Sequence, residues 1–243
     1  VRAAAIGAVP PFVGWSGPAL LRLAQAAQVR VCAAGERLFR HGSRYDQMAV
    51  VPVGAVESSV TASDGRRVVF AIEPPGRAHG VIPLVDGQPW VCDVIFPDGG
   101  VALMVPMGAI QAELAAHPAL WATVAREVNG RARRYTEQLK SALFDALRPR
   151  AASLLLGLLE SRDHSAPGPA QIPLRLPQER FAEMLGVTRQ TVTALVRELV
   201  REGLLQWRYG RVTLLDLKAL QAVADTGIDR LAERPVVARR RAG

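Results

Sequence analysis

Cysteine is scarce in this chain: Cys32 and Cys92 are the only two in 243 residues. Two such thiols build neither a disulfide framework nor a CxxC metal site, and they fall short of the four thiolates an iron–sulfur cluster takes. Histidine is nearly as sparse, and His41, His79, His117 and His164 do not cluster in the way a cupin-like metal site requires. No Ser–His–Asp order, metal-ligand spacing or phosphate loop supports catalysis, so neither an enzyme nor a bound metal is expected. No apolar run approaches the length that spans a bilayer, and no membrane partner is expected. The opening VRAAAIGAVPPF has one arginine and a short apolar run broken by Pro10 and Pro11, a poor signal peptide. A cytoplasmic location with reduced thiols is expected.

What is present is positive charge and a globular composition. The net charge is +8, nearly all the basic residues are arginine, and about half of the chain is apolar. Residues 170–243 hold 13 Lys+Arg against 8 Asp+Glu, whereas residues 1–169 hold 17 against 14. The C-terminal third (+5) is thus the denser basic segment, as expected of one that meets phosphates.

From about Val29 to Val105 short β-like runs alternate with Gly, Asp and Pro, which predicts a β-sandwich or jelly roll. SDGRR (63–67) places Asp-Gly at a hairpin tip, and GPALLRLAQAA ahead of the strands reads as a short helix. After Pro106 the pattern turns helical. GAIQAELAAHP is a short helix, and a long one is predicted from Pro118 to Ala146, stopped by Pro149. Its apolar positions, including Val124, Val128, Tyr135, Leu139 and Ala142, form a narrow stripe at three-and-four spacing. That stripe predicts a seam with a second copy; packing on its own domain is the competing reading. RAASLLLGLLES (150–161) reads as another helix and RDHSAPGPAQIP (162–173) as a surface loop.

Residues 178–197 carry the strongest pattern. Pro177 suits the first turn of a leading helix, Ala182 is the small residue at its middle, and Gly186 tolerates the turn. Thr188 then caps a second helix that buries Val192 and Leu195. This is a helix-turn-helix. EGLLQWRYGRVTLLD follows as two short strands around Tyr209-Gly210, a wing. On the second helix Arg189, Gln190 and Thr193 share the face away from the core and are the candidate base contacts; Arg pairs with guanine and Gln with adenine. Thr188, Thr191 and Arg197 are candidate backbone contacts. Arg208 and Arg211 on the wing either meet backbone phosphate or stay solvated on a hairpin that caps the core.

The order of α+β parts resembles the Crp/Fnr family of bacterial transcription regulators over about residues 12–220. The likeness is carried by AGERLFRHGS (34–43), VVPVGAVESSV (50–60), LFDALRPRAASLLLGLLE and LPQERFAEMLGVTRQTVTALVRELVREGLL. It implies a cyclic-nucleotide-binding-like β-roll over 1–117, a dimerisation helix over 118–147 and a winged helix-turn-helix over 148–224. A disordered basic tail is read over 225–243. It also implies a homodimer on an inverted-repeat DNA site, recruiting or blocking RNA polymerase. The family commonly places Arg, then Glu, then Arg four residues later on the recognition helix. Here these are Arg189, Gln190 and Ala194, so the family's best-known target is not expected.

The effector cassette departs further. In nucleotide-binding members a Gly-Glu opens a short helix and an Arg follows to hold the phosphate. The stretch PPGRAHGVIPLVDGQPWVCDV keeps Gly80, but Val81 stands at the Glu position, Trp90 at or near the Arg position, and Pro83 interrupts the helix. Thr136 matches one hydroxyl of the long helix while Tyr135 replaces the other. Losing the charge-assisted phosphate bond costs about 1.5–3 kcal/mol, so cyclic AMP is not expected as effector and no cofactor is assigned. His79 is the one candidate haem ligand, an ordinary buried histidine being the competing reading. Redox sensing by Cys32 and Cys92 requires that folding bring them together. Two other functions compete with DNA reading: a small-molecule sensor for haem, redox or an apolar ligand, and a protein-interaction module.

Overall fold

The computed structural model describes residues 1–160 and 174–232, in two compact units, Val1–Tyr135 and Thr136–Gly243. The surface loop read over 162–173, His164 and the arginine run at 239–241 lie outside the described residues.

The first unit opens with two helices, α1 (Arg2–Gly7) and α2 (Gly17–Ala26). Eight strands follow: β1 (Gln28–Cys32), β2 (Glu36–Phe39), β3 (Gln47–Val53), β4 (Val56–Thr61), β5 (Arg67–Glu73), β6 (Arg77–His79), β7 (Asp93–Phe96) and β8 (Gly100–Pro106). A short α3 (Val81–Asp86) interrupts them; α4 (Met107–Ala116), a 3-10 turn (Pro118–Leu120) and α5 (Trp121–Phe144) come after. The strands form two antiparallel four-stranded sheets, ordered β1-β8-β3-β6 and β2-β7-β4-β5, the expected jelly-roll arrangement.

One sheet has both faces covered. Met48, Val50, Leu103 and Val105 pack with helical Ile6, Leu23, Ile110 and Leu114, while Ala49, Val51, Ala102 and Met104 pack with Phe39, Val94 and Phe96 of the other sheet. This is why β3 reads as a continuous apolar run without alternation. The SDGRR turn lies where predicted: Asp64 Oδ1 accepts from the Arg66 N–H at 3.0 Å, and Val60 faces Val68 across the hairpin.

The opening segment is part of the fold. Ile6, Val9, Phe12 and Trp15 are buried in the core, and the Trp15 indole donates to Thr123 Oγ1 at 3.0 Å. The boundary expected at 117/118 also moves, because the front of α5 belongs to the β-domain. Val124 is 1% exposed in that domain's core and Val128 packs against the same cluster. Val124 is thereby taken up by its own domain rather than by a seam, while Val128 is half-buried against the same cluster. Tyr135, Leu139, Ala142, Leu143 and Phe144, further along α5, are exposed.

The second unit carries α6 (Leu147–Glu160), β9 (Leu174–Arg175), α7 (Gln178–Leu185), α8 (Arg189–Arg201), β10 (Leu205–Arg208), β11 (Arg211–Leu214) and α9 (Leu217–Ala232). Helix α6 starts before Pro149, which its first turn accommodates since no N–H is needed there. Helix α9 runs through Ala232, so residues 225–232 are helical and not the disordered tail expected from residue 225. Phe181, Leu185, Val192, Leu199, Leu205, Val212 and Leu220 make one core.

Candidate DNA-reading surface and sensor core

The helix-turn-helix is set by local chemistry at three points. Gly186 ends α7 with φ +68°, a left-handed conformation that a Cβ would strain, and Val187 N–H donates back to Ala182 O at 3.1 Å. Thr188 takes the extended cap conformation before α8, and its Oγ1 accepts from the Thr191 N–H at 3.2 Å. Thr191 Oγ1 lies 2.8 Å from Thr188 Oγ1, so the two hydroxyls bond each other at the helix start. Ala182 is buried where α7 and α8 cross, with Val192, Leu195, Val196 and Leu199 on the inward stripe of α8.

This orientation leaves Arg189 and Gln190 exposed on the first turn of α8 and Arg197 exposed further along. Arg189 shares a shallow cleft of about 390 Å³ with Gln178, Trp207 and Tyr209. Thr193 differs from its expected role as a base contact. Its hydroxyl lies 2.9 Å from both Gln178 Oε1 and Arg189 O, so it ties the recognition helix to its neighbour. At four residues after Arg189 the hydroxyl falls back on the helix carbonyl, where Gln178 of α7 reaches it. Arg208 and Arg211 face each other across the β10–β11 hairpin, both exposed.

Of the sensor positions, His79, Gly80, Val81 and Trp90 are packed as core, while Tyr135 and Thr136 are exposed. Gly80 caps α3 at φ +109°, and a Cβ there would lie 3.0 Å from Met48 Cγ and 3.1 Å from Trp90 Cζ2. Trp90 stacks on Phe39 with centroids 3.7 Å apart and 18° between planes, and is 4% exposed. The indole is thus interior packing, not the wall of an open effector pocket. Val81 is buried in the helix-facing core. Pro83 does not break α3; it occupies the first turn, where proline is tolerated. Thr136 is exposed on α5.

Sequence reading missed a buried ionic cluster of the first unit. Arg131 of α5 donates through Nε to Glu127 Oε1 at 2.7 Å and through Nη2 to Ala78 O at 2.6 Å, and lies 3.8 Å from Glu73. Its side chain is 11% exposed, Glu127's 8% and Glu73's 14%. The sequence signal was the RARR run that interrupts the apolar stripe of α5, but its partner Glu73 is far off in sequence. His79 joins the cluster, with Nδ1 3.5 Å from Glu73 Oε2. Burial pushes the His79 imidazole down to about 4 against the pull of Glu73, so the ring is neutral at pH 7. Burial likewise raises the Cys92 and Cys32 thiols, which leaves both cysteines protonated.

The His79 shift sets a pH window. Below its ordinary 6.5 the unfolded chain binds a proton that the folded chain refuses until about 4. The stability contributed by the neutral ring is therefore complete above pH 6.5 and is lost as pH falls toward 4. Chemical denaturation is expected to show about 2 kcal/mol less stability at pH 5 than at pH 7, and His79→Gln to flatten that difference. An equal slope in the variant would contradict the assignment.

A β-roll joined to a winged helix-turn-helix defines a class: transcription regulators that carry a ligand-binding-type domain and a DNA-reading head. Residues 29–117 match the cyclic nucleotide-binding domain and residues 149–223 the Crp-like helix-turn-helix domain. The chain belongs to the Crp/Fnr family and is a transcription regulator, not an enzyme. Among its relatives, the HTH-type transcriptional regulator Cmr of Mycobacterium tuberculosis is 28% identical over 203 residues, covering 83% of this chain and 78% of Cmr. The CRP-like cAMP-activated global transcriptional regulator of the same species is 23% identical over 209 residues, covering 86% and 93%. A CRP-family transcriptional regulator of Thermus thermophilus superposes with a TM-score of 0.67 at 26% identity, over 82% of this chain and 96% of that one. FixK2 of Bradyrhizobium japonicum shares the fold at a TM-score of 0.70 and 19% identity, over 81% and 96%. No helix among the described residues is long and apolar enough to cross a membrane.

Proposed function

We propose that the chain binds an inverted-repeat DNA site as a homodimer, with Arg189 and Gln190 reading bases and Thr188, Thr191, Arg197, Arg208 and Arg211 holding the backbone. The observation that carries this reading is the fixed first turn of α8: the Gly186 turn, the Thr188 cap and the Gln178–Thr193 link present two exposed base-reading side chains from a rigid core. A protein-interaction module has no use for such a face in the most basic third of the chain. RNA polymerase is the partner on which such a regulator acts, and the cytoplasm is where its DNA lies.

Dimerisation uses the exposed part of the α5 stripe: Tyr135, Leu139, Ala142 and Leu143. Leu139 is 59% and Leu143 67% exposed, too much apolar surface at coiled-coil spacing to leave in water. Sedimentation is expected to give a species near twice the 26.1 kDa chain mass, shifted to monomer by Leu139→Asp with Leu143→Asp. A wild-type monomer at micromolar concentration would refute the seam.

The relative named as cAMP-activated raises the question of cyclic nucleotides here. The packing argues against them: Val81 supplies no carboxylate for a ribose, Trp90 fills core where an arginine would hold phosphate, and the Arg131 guanidinium is engaged by Glu127 and Ala78 O. Titration calorimetry with cyclic AMP is expected to show no micromolar binding; clear saturable heat would overturn this reading. No cofactor is assigned.

A further inference from the structure

The last residue that anchors α5 in the first unit is a charged one. Val124 and Glu127 are buried, Val128 is half-buried and the Arg131 side chain is 11% exposed, whereas every residue from Ala132 to Lys140 is exposed. Helix α5 therefore leaves the β-domain at Arg131, and the exposed stripe of Tyr135, Leu139 and Leu143 begins one turn later. The apolar part of the anchorage does not hold the helix in one rotation. Val124 and Val128 pack against side chains of the core, and such contact has no direction. The ionic part does have one. Glu127, one turn back on the same helix, accepts from Arg131 Nε at 2.7 Å and aims the guanidinium. Nη2 then donates to Ala78 O at 2.6 Å, and Glu73 Oε1 lies 3.8 Å away. Ala78 is fixed in turn by its strand, paired with Val50 of β3, and Glu73 ends β5. A slip of one residue moves a helix about 1.5 Å along its axis and turns it about 100°, which a bond of that length does not survive. Folding alone does not ask for this arrangement. Buried ionic groups often give way to apolar residues of similar volume with no loss of stability, and their best-attested use is to fix a register.

We propose that Arg131 is a positioning residue: with Glu127, Glu73 and Ala78 O it fixes the rotation of α5 on the β-domain, so that the stripe beyond it meets a second copy in one register and the two reading heads stand at one spacing. Its role is exerted through the helix and not by contact with DNA. The proposal rests on the seam and on the DNA reading above, and its test separates the three.

The test uses the full chain with Arg131→Met and Glu127→Gln combined, which removes the directional bonds while keeping volume and reducing the uncompensated charge. Duplexes are selected from a random pool, and the separation of their half-sites is read. The wild type is expected to enrich one separation; the double variant is expected to enrich several, with the half-site sequence unchanged. Its affinity for the wild-type duplex should fall about tenfold if the competent rotation is then held about a tenth of the time. Glu73→Gln, an isosteric change, is expected to broaden the separation as well. Val128→Ala is the control: it should lower the melting temperature of the first unit and leave a single separation. One unchanged separation in both the double variant and Glu73→Gln overturns the anchor. Equal broadening in Val128→Ala overturns it too, because lost stability would then be the cause. If the wild type selects no duplex, the DNA reading fails, and the anchor is judged by sedimentation alone. There the double variant should dissociate about tenfold more readily than the wild type, and equal dissociation overturns the anchor. A monomeric wild type removes the seam and the anchor with it.

Discussion

Arg189→Ala is expected to abolish specific DNA binding while leaving the fold intact. Arg189 is exposed on the first turn of α8 and contributes nothing to the buried stripe, so its truncation has no core to disturb. A bidentate arginine–guanine pair is worth about 1–3 kcal/mol of discrimination. A dimer on two half-sites loses it twice, about 2–6 kcal/mol, or roughly 30-fold to 10⁴-fold in affinity. Weak binding to unrelated DNA should persist, because the backbone contacts proposed for Arg197, Arg208 and Arg211 are left in place. Gel-shift titration on the selected site and on a scrambled one reads both effects. Equal binding by the variant and the wild type would remove α8 from the reading role.

The largest effect on stability is expected from Arg131→Ala. The truncation leaves the carboxylates of Glu127 and Glu73 mostly buried with their shared cation gone, and removes the donor to Ala78 O. Breaking a buried ion pair from one side costs about 3–5 kcal/mol, a large share of the stability of a domain this size. Scanning calorimetry should show the transition of the first unit fall while that of the second unit stays in place. Pairing Arg131→Met with Glu127→Gln is expected to recover much of the loss, since the uncompensated charge is then reduced and the volume refilled. An Arg131→Ala protein as stable as the wild type would mean that water reaches the cluster and that it ties nothing together.

The parts legible in the sequence were those built from near neighbours. Gly186, Thr188 and the Val192/Leu195 pair announce the helix-turn-helix because capping and turn geometry act over a few residues. The Asp64-Gly65 hairpin is legible for the same reason. What sequence could not show depends on partners far along the chain. The α5 stripe is continuous in sequence, yet Val124 and Val128 meet the β-domain core while Leu139 and Leu143 stay exposed. Trp90 falls at or near the phosphate-arginine position in sequence, yet in the fold it stacks on Phe39. Thr193 has the spacing of a base contact, but Gln178 takes its hydroxyl.

The most direct measurement is selection of bound duplexes from a random DNA pool with the purified full chain, with and without cell extract. The account predicts enrichment of an inverted repeat whose half-sites lie about one helical turn apart, centre to centre, each holding a guanine that Arg189→Ala no longer requires. Enrichment of no sequence under either condition, or of one whose guanine the variant still selects, would contradict it.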